Sequence, residues 1–295
     1  MKSAIFYVLL FVYTLLDAQT VVSGSIEGVR LAVFAVVPSL FPFIFLSVMS
    51  SYGISGMNIS MLRPIEKLCG IPCGCGNLLL LGLCGGYPVG AQCISSAYKQ
   101  GTITKKDGER LLGFCNNAGP SFIFGMVGGI LKDVRLCWAL WIGQILSAVI
   151  VGAILPGKSS INGSAQPAKK LSVTTGLEST IHICSKIAAW IIVFRALISV
   201  AEKWFLSKLP AFWNAGISGV LELSNGCIRL QNIDSPLLRF LLCGMLLSLG
   251  GICVYLQTKS VTGTLSLRRY IIGKVLQTVI LLPILLVLWK ITVAF

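Results

Sequence analysis

Residues 81–125 read LGLCGGYPVGAQCISSAYKQGTITKKDGERLLGFCNNAGPSFIFG, two apolar segments joined by a basic polar loop. Gly85, Gly86 and Pro88 interrupt the first segment; Asn116, Asn117, Gly119 and Pro120 interrupt the second. Proline removes a backbone donor and glycine gives a helix little support, so neither segment is written as an unbroken helix. In a bilayer such breaks are tolerated only where protein or a water-filled cavity satisfies the freed N–H and C=O groups. Two adjacent asparagines at that depth are costly unless paired. The stretch therefore predicts interrupted membrane helices that form a substrate or ion site.

The composition agrees with a membrane setting. Of 295 residues, 55% are hydrophobic and 12% charged, against roughly 25% charged in soluble domains. The net charge of +14 does not point to nucleic acid, because Lys and Arg gather in short connections. Lys99, Lys105, Lys106 and Arg110 lie in one, Lys169 and Lys170 in a second, and Lys259, Arg268 and Arg269 in a third. That is the pattern of cytoplasmic loops and headgroup contact. The expected partners are membrane lipid and a small-molecule substrate, with a second copy of the chain left open. The 11 cysteines are scattered through apolar segments. Cys69, Cys73 and Cys75 match no standard zinc spacing and His182 is remote, so no metal and no cofactor is expected.

Residues 4–16 follow Lys2, lack a convincing cleavage site and read as an uncleaved first membrane helix within an N-terminal unit, 1–27. A first half, 28–155, holds a crossing helix at 29–52, kinked by Pro38 and Pro42, and the interrupted segments 77–97 and 111–131. It closes with a clean helix at 136–155, whose Gln144 faces inward. Residues 156–177 are a polar linker. The second half, 178–295, opens with 179–206, where Arg195 sits amid apolar neighbours and faces the protein interior. Then come a piece at 212–223 too short to cross, a segment at 237–256 broken at Gly250-Gly251, and a last helix at 270–293. The fold class expected is all-α and polytopic, with about eight membrane segments including broken or re-entrant ones.

The two halves share a short match. G-G-x-x-V-x-x-Q occurs at Gly85 to Gln92 and again at Gly250 to Gln257, and E-x-x-x-G at Glu66 and at Glu222. Paired interrupted segments in two halves point to a transporter site near the midplane. Such a site would gather Gln92, Asn116, Asn117, Glu222, Asn225 and Gln257, beside Gly86, Tyr87, Pro88, Gly119 and Pro120 at the breaks. Amides donate and accept, which suits a polar organic substrate. Helix N-termini and Arg195 would favour an anionic one. The loops after Gln92 and after Gln257 are both basic, so charge alone conflicts with placing them on opposite faces.

At these residues the chain resembles the YlbJ family of sporulation integral membrane proteins, within the nucleoside-transporter gate-domain family. The resemblance is carried by P-S-L-F-P-F (38–43), G-Y-P-V-G-A (86–91), G-x-I-T-x-x-x-G-E-R-L-L (101–112), F-C-N-N-A-G-P-S-F-I-F-G (114–125) and L-E-L-S-N-G (221–226). It implies a spore-forming bacterium and a location in the cell membrane or outer forespore membrane. It also implies movement of a small anionic metabolite, dipicolinic acid ahead of a nucleoside.

A transporter or facilitator is thus the leading expectation. No P-loop makes the chain a pump by itself. An enzyme would need clustered acids, histidines or metal ligands, which are missing, so no enzymatic activity is expected. The alternative is a membrane scaffold or assembly factor for sporulation, in which small residues and amides serve only to hold helices together.

Overall fold

The computed structural model describes residues 12, 14–54, 60–157 and 172–294. The helix expected at 4–16 falls almost wholly outside them, as does 158–171 of the polar linker. Among the described residues the chain is all α-helical.

Ala18–Leu31, a π-helical turn at Ala32–Val36 and Val37–Ile54 run on as one helix, α1. It starts at Ala18 rather than near residue 29. Pro38 lacks an N–H and its ring crowds the carbonyl four residues back; the π turn immediately before it widens the ladder there. A short helix, α2 (Arg63–Cys69), leads to α3 (Asn77–Gly85) and α4 (Val89–Lys99). These two form a hairpin rather than a crossing. Gly82 and Gly90 meet at its waist, where a Cβ on either would overlap the Cys115 carbonyl oxygen.

Next come α5 (Lys105–Cys115), a non-helical break, and α6, assembled from Pro120–Phe122, a π turn at Ile123–Val127 and Gly128–Leu131. Thr104 starts α5 with a capping box, its hydroxyl accepting from the Asp107 amide, as S/T-x-x-acid predicts. The helix α7 (Val134–Ile154) closes the first half. The second half contains α8 (Val173–Trp204), the hairpin α9 (Ala211–Leu221) and α10 (Leu223–Arg229), the pair α11 (Pro236–Leu249) and α12 (Gly251–Thr262), and α13 (Arg268–Ala294). The α9–α10 hairpin also has a glycine waist, Gly219 against Gly226.

Five described spans are long and apolar enough to cross a membrane: Ala18–Ser50, Val134–Ile154, Val173–Trp204, Pro236–Thr262 and Arg268–Ala294. This is fewer than the roughly eight segments a hydropathy reading suggests. The difference lies in the pieces 77–99, 105–131 and 211–229, whose breaks leave each helix too short to span alone.

α1 and α8 are antiparallel: Lys203 pairs with Asp17 at 2.8 Å, Gly24 lies beside Ser199, and Gly28 beside Ile192. α13 packs among α5, α7 and α11. The faces of the bundle follow from the loop contacts. The Ser266 amide donates to Glu109 at 3.0 Å, and Arg269 donates to the Pro156 carbonyl at 3.0 Å. Arg110 donates to the carbonyls of Gly70, Leu155 and Cys69. The connections around 70, 100–109, 155–157 and 263–269 therefore share one face. On the other face, the end of α6 packs against Leu230–Asn232, and Arg229 pairs with Glu202.

Candidate functional site: a cavity where the breaks meet

Two of the interruptions are held by side chains that take up freed backbone groups. At the break after α5, Asn116 Oδ1 accepts from the Ala91 amide (3.2 Å) and its Nδ2 donates to Thr258 Oγ1 (3.0 Å). Asn117 Nδ2 donates to the Phe114 carbonyl (2.7 Å), while its Oδ1 accepts from Lys274 (2.8 Å). At the tip of the α9–α10 hairpin, Glu222 caps α10. Its carboxylate accepts from the Ser224 amide (3.0 Å), the Asn225 amide (2.8 Å) and Asn225 Nδ2 (2.7 Å). α11 gives way to α12 at Gly250 and Gly251, with φ of 74° and 72°, a region glycine enters without a Cβ penalty.

The tips of the two hairpins and the α5–α6 break converge on one cavity, whereas Gly251 at the α11–α12 break borders another. Gly86 and Tyr87 come from the first hairpin, Gly119 and Ser121 from the α5–α6 break, Glu222 and Ser224 from the second hairpin, and Gln257 from α12. Val36 and Leu40 of α1 and Ile187 and Ile191 of α8 form an apolar wall. The cavity volume is about 30 Å³, room for one or two waters. Two hydroxyl oxygens at its lining, Tyr87 Oη and Ser121 Oγ, have no hydrogen-bond partner among the described residues, and Ser121 is only 3% exposed. The N-termini of α4, α6 and α10 end at the cavity and the first turns of α12 flank it, so their partial positive charge is directed inward. Glu222 offsets that at α10.

Of the residues anticipated from sequence, Gly86, Tyr87, Gly119, Glu222 and Gln257 line this cavity. Pro88 and Pro120 sit beside it as helix starts. Asn116, Asn117 and Asn225 stand behind the lining with their amides already engaged. Gln92 faces a different cavity, shared with Asn77, Ser96 and Ser179 and bounded by Val48. Arg195, one turn beyond Ile191, is half-buried and does not line the cavity; it is drawn into ion pairs with Glu27 and with Glu202 (2.8 Å). Two carboxylates, the exposed Glu27 and the half-buried Glu202, hold the guanidinium in charge-assisted pairs away from the cavity.

The sequence reading passed over Ser121 and Lys274. Ser121 lay inside the quoted motif but reads as an ordinary small residue. Lys274 was legible as a lysine set among apolar residues of a long helix, with Gln277 on the same face one turn on. It forms the centre of a polar layer: Nζ donates to Gln277 Oε1 (2.8 Å), and Gln277 Nε2 donates to Gln144 Oε1 (3.1 Å). Among the described residues no group of histidines, cysteines and acids could hold a metal.

Apolar spans joined by hairpins and interrupted helices define a multi-pass integral membrane protein. Comparison with known proteins narrows this. The chain is 24% identical to the sporulation integral membrane protein YlbJ of Bacillus subtilis (strain 168), over 97% of its own length and 82% of the relative's. This likeness supports a distant relationship to the YlbJ family. No family model matches the chain, and no solved structure matches it.

Proposed function

We propose that the protein is a secondary transporter or facilitator for a small polar, anionic metabolite, acting during spore formation, with dipicolinic acid as the leading candidate. One observation carries this reading. Breaks from both halves of the chain meet at a single cavity lined by hydroxyls with no partner among the described residues. In a lipid-embedded core an unpaired hydroxyl is a standing cost, and a bound polar ligand removes it. Inward-pointing helix N-termini favour an anion over a neutral nucleoside. A cavity of about 30 Å³ is too small for a dicarboxylate, so the hairpins part when substrate enters. A pure scaffold would account for Asn116 and Asn117, which tie helices together, but not for Tyr87 and Ser121.

The element order supports a repeat within this reading. A long helix, a hairpin, an interrupted helix and a final helix occur in residues 18–154 and again in 173–294. In this reading the two repeats are inverted: the first hairpin enters from the face with loops 100–109 and 263–269, and the second from the opposite face. The G-G-x-x-V-x-x-Q match thus joins non-equivalent elements, a hairpin tip and an interrupted helix. Both basic loops also lie on one face, which removes the charge conflict and makes that face cytoplasmic. The membrane is the bacterial cell membrane or the outer forespore membrane. Uptake of labelled dipicolinate by reconstituted protein, against a labelled nucleoside, tests the reading.

A further inference from the structure

The cavity leaves Lys274 unexplained. It is 3% exposed, lies inside the apolar helix α13, and donates at 2.8 Å to two neutral amide oxygens, Asn117 Oδ1 and Gln277 Oε1. The chain has ten acidic residues, and among the described residues none pairs with it. The groups facing it are Tyr270 on its own helix, with Nζ 5.9 Å from the ring centroid, and Cys115 at the end of α5. Behind Gln277 stand Gln144 and Ser147 of α7, and α11 contributes Ser248 to the neighbouring Thr278. No carboxylate is among them.

A buried ammonium without a counter-charge is expensive in a membrane core. An ammonium offers three donors and the neutral amine two, and this site asks for two. The same hydrogen bonds therefore serve both protonation states, so the proton can come and go without rearranging the core. Asn117 links that state to the cavity. Its amide also holds the Phe114 carbonyl, and Gly119, two residues on, is part of the lining.

We propose that Lys274 binds the coupling proton of the transport cycle. A proton from water adds to the amine lone pair as the anion enters, and returns to water where the anion is released. One proton then moves with each anion and offsets one of its negative charges. This rests on the transport reading of the cavity.

The test uses wild-type protein, Lys274→Gln and Lys274→Arg in liposomes, with labelled dipicolinate measured in two modes. One is exchange against internal unlabelled dipicolinate at equal pH; the other is net uptake driven by an inside-alkaline pH gradient. Wild type is expected to perform both, with the gradient raising uptake several-fold. Both variants are expected to keep exchange and lose the stimulation, because Gln cannot take up a proton and Arg does not release one. Stimulation of either variant as strong as that of wild type overturns the proton site and leaves the transport reading intact. Loss of exchange in well-folded Lys274→Arg also overturns it, by making the side chain a structural or substrate contact. A wild-type protein inert in both modes overturns the transport reading, and this inference with it.

Discussion

Ser121 and Asn116 are both buried polar residues near the same break, and they have opposite fates. Asn116 spends its amide on the Ala91 amide and the Thr258 hydroxyl, so it is a structural tie. Asn116→Ala is expected to destabilise the protein by about 1–3 kcal/mol, the usual cost of stranding buried partners. Thermal unfolding in detergent would register this as a lower Tm, with loss of transport following from loss of fold. Ser121 Oγ has no partner among the described residues, so Ser121→Ala is expected to leave Tm unchanged. Cysteine chemistry offers a separate check. Burial, reinforced by Glu66, pushes the Cys75 thiol up to about 12, whereas Cys73 is exposed. Since the thiolate is the nucleophile, maleimide at neutral pH should label Cys73 and spare Cys75, as peptide mass spectrometry would report.

The two hairpins depend on glycine at their waists, because helices that turn back within the membrane must touch backbone to backbone. A Cβ at Gly82 would overlap the Cys115 carbonyl oxygen, and one at Gly226 would overlap Gly219. Gly82→Val and Gly226→Val are therefore each expected to cost more than about 3 kcal/mol, beyond ordinary overpacking. The readout is the yield of monodisperse protein on size-exclusion chromatography, with wild-type yield refuting the packing. This is also where sequence and structure part company. The breaks at Gly86, at residues 116–119 and at Gly250 were legible, because Gly, Pro and Asn act locally on the backbone. The reversal at each hairpin was not, since a broken segment that crosses and one that turns back share the same composition. Arg195 shows the same limit from another side. Its apolar neighbours could be read from the sequence, but its partner Glu27 belongs to a helix 168 residues away in sequence.

At the scale of the molecule, the basic connections 100–109 and 263–269 share a face, and Arg229 with Asp234 lies on the other. Single cysteines placed at Lys106, Ser266 and Asp234 in a cysteine-free background test this inverted arrangement. A membrane-impermeant maleimide should label the first two only from the cytoplasmic side and the third only from outside. Labelling of Lys106→Cys and Ser266→Cys from opposite sides would refute it.

The central claim is that the cavity between the hairpins carries substrate. Uptake of labelled dipicolinate into proteoliposomes, by wild type and by Ser121→Ala at equal protein content, tests it most directly. Wild type should accumulate dipicolinate in preference to a labelled nucleoside. Ser121→Ala should lower the rate roughly two- to ten-fold, the value of one hydrogen bond, with Tm unchanged. Wild-type uptake no greater than that of empty liposomes, or a Ser121→Ala rate equal to wild type, would contradict the account.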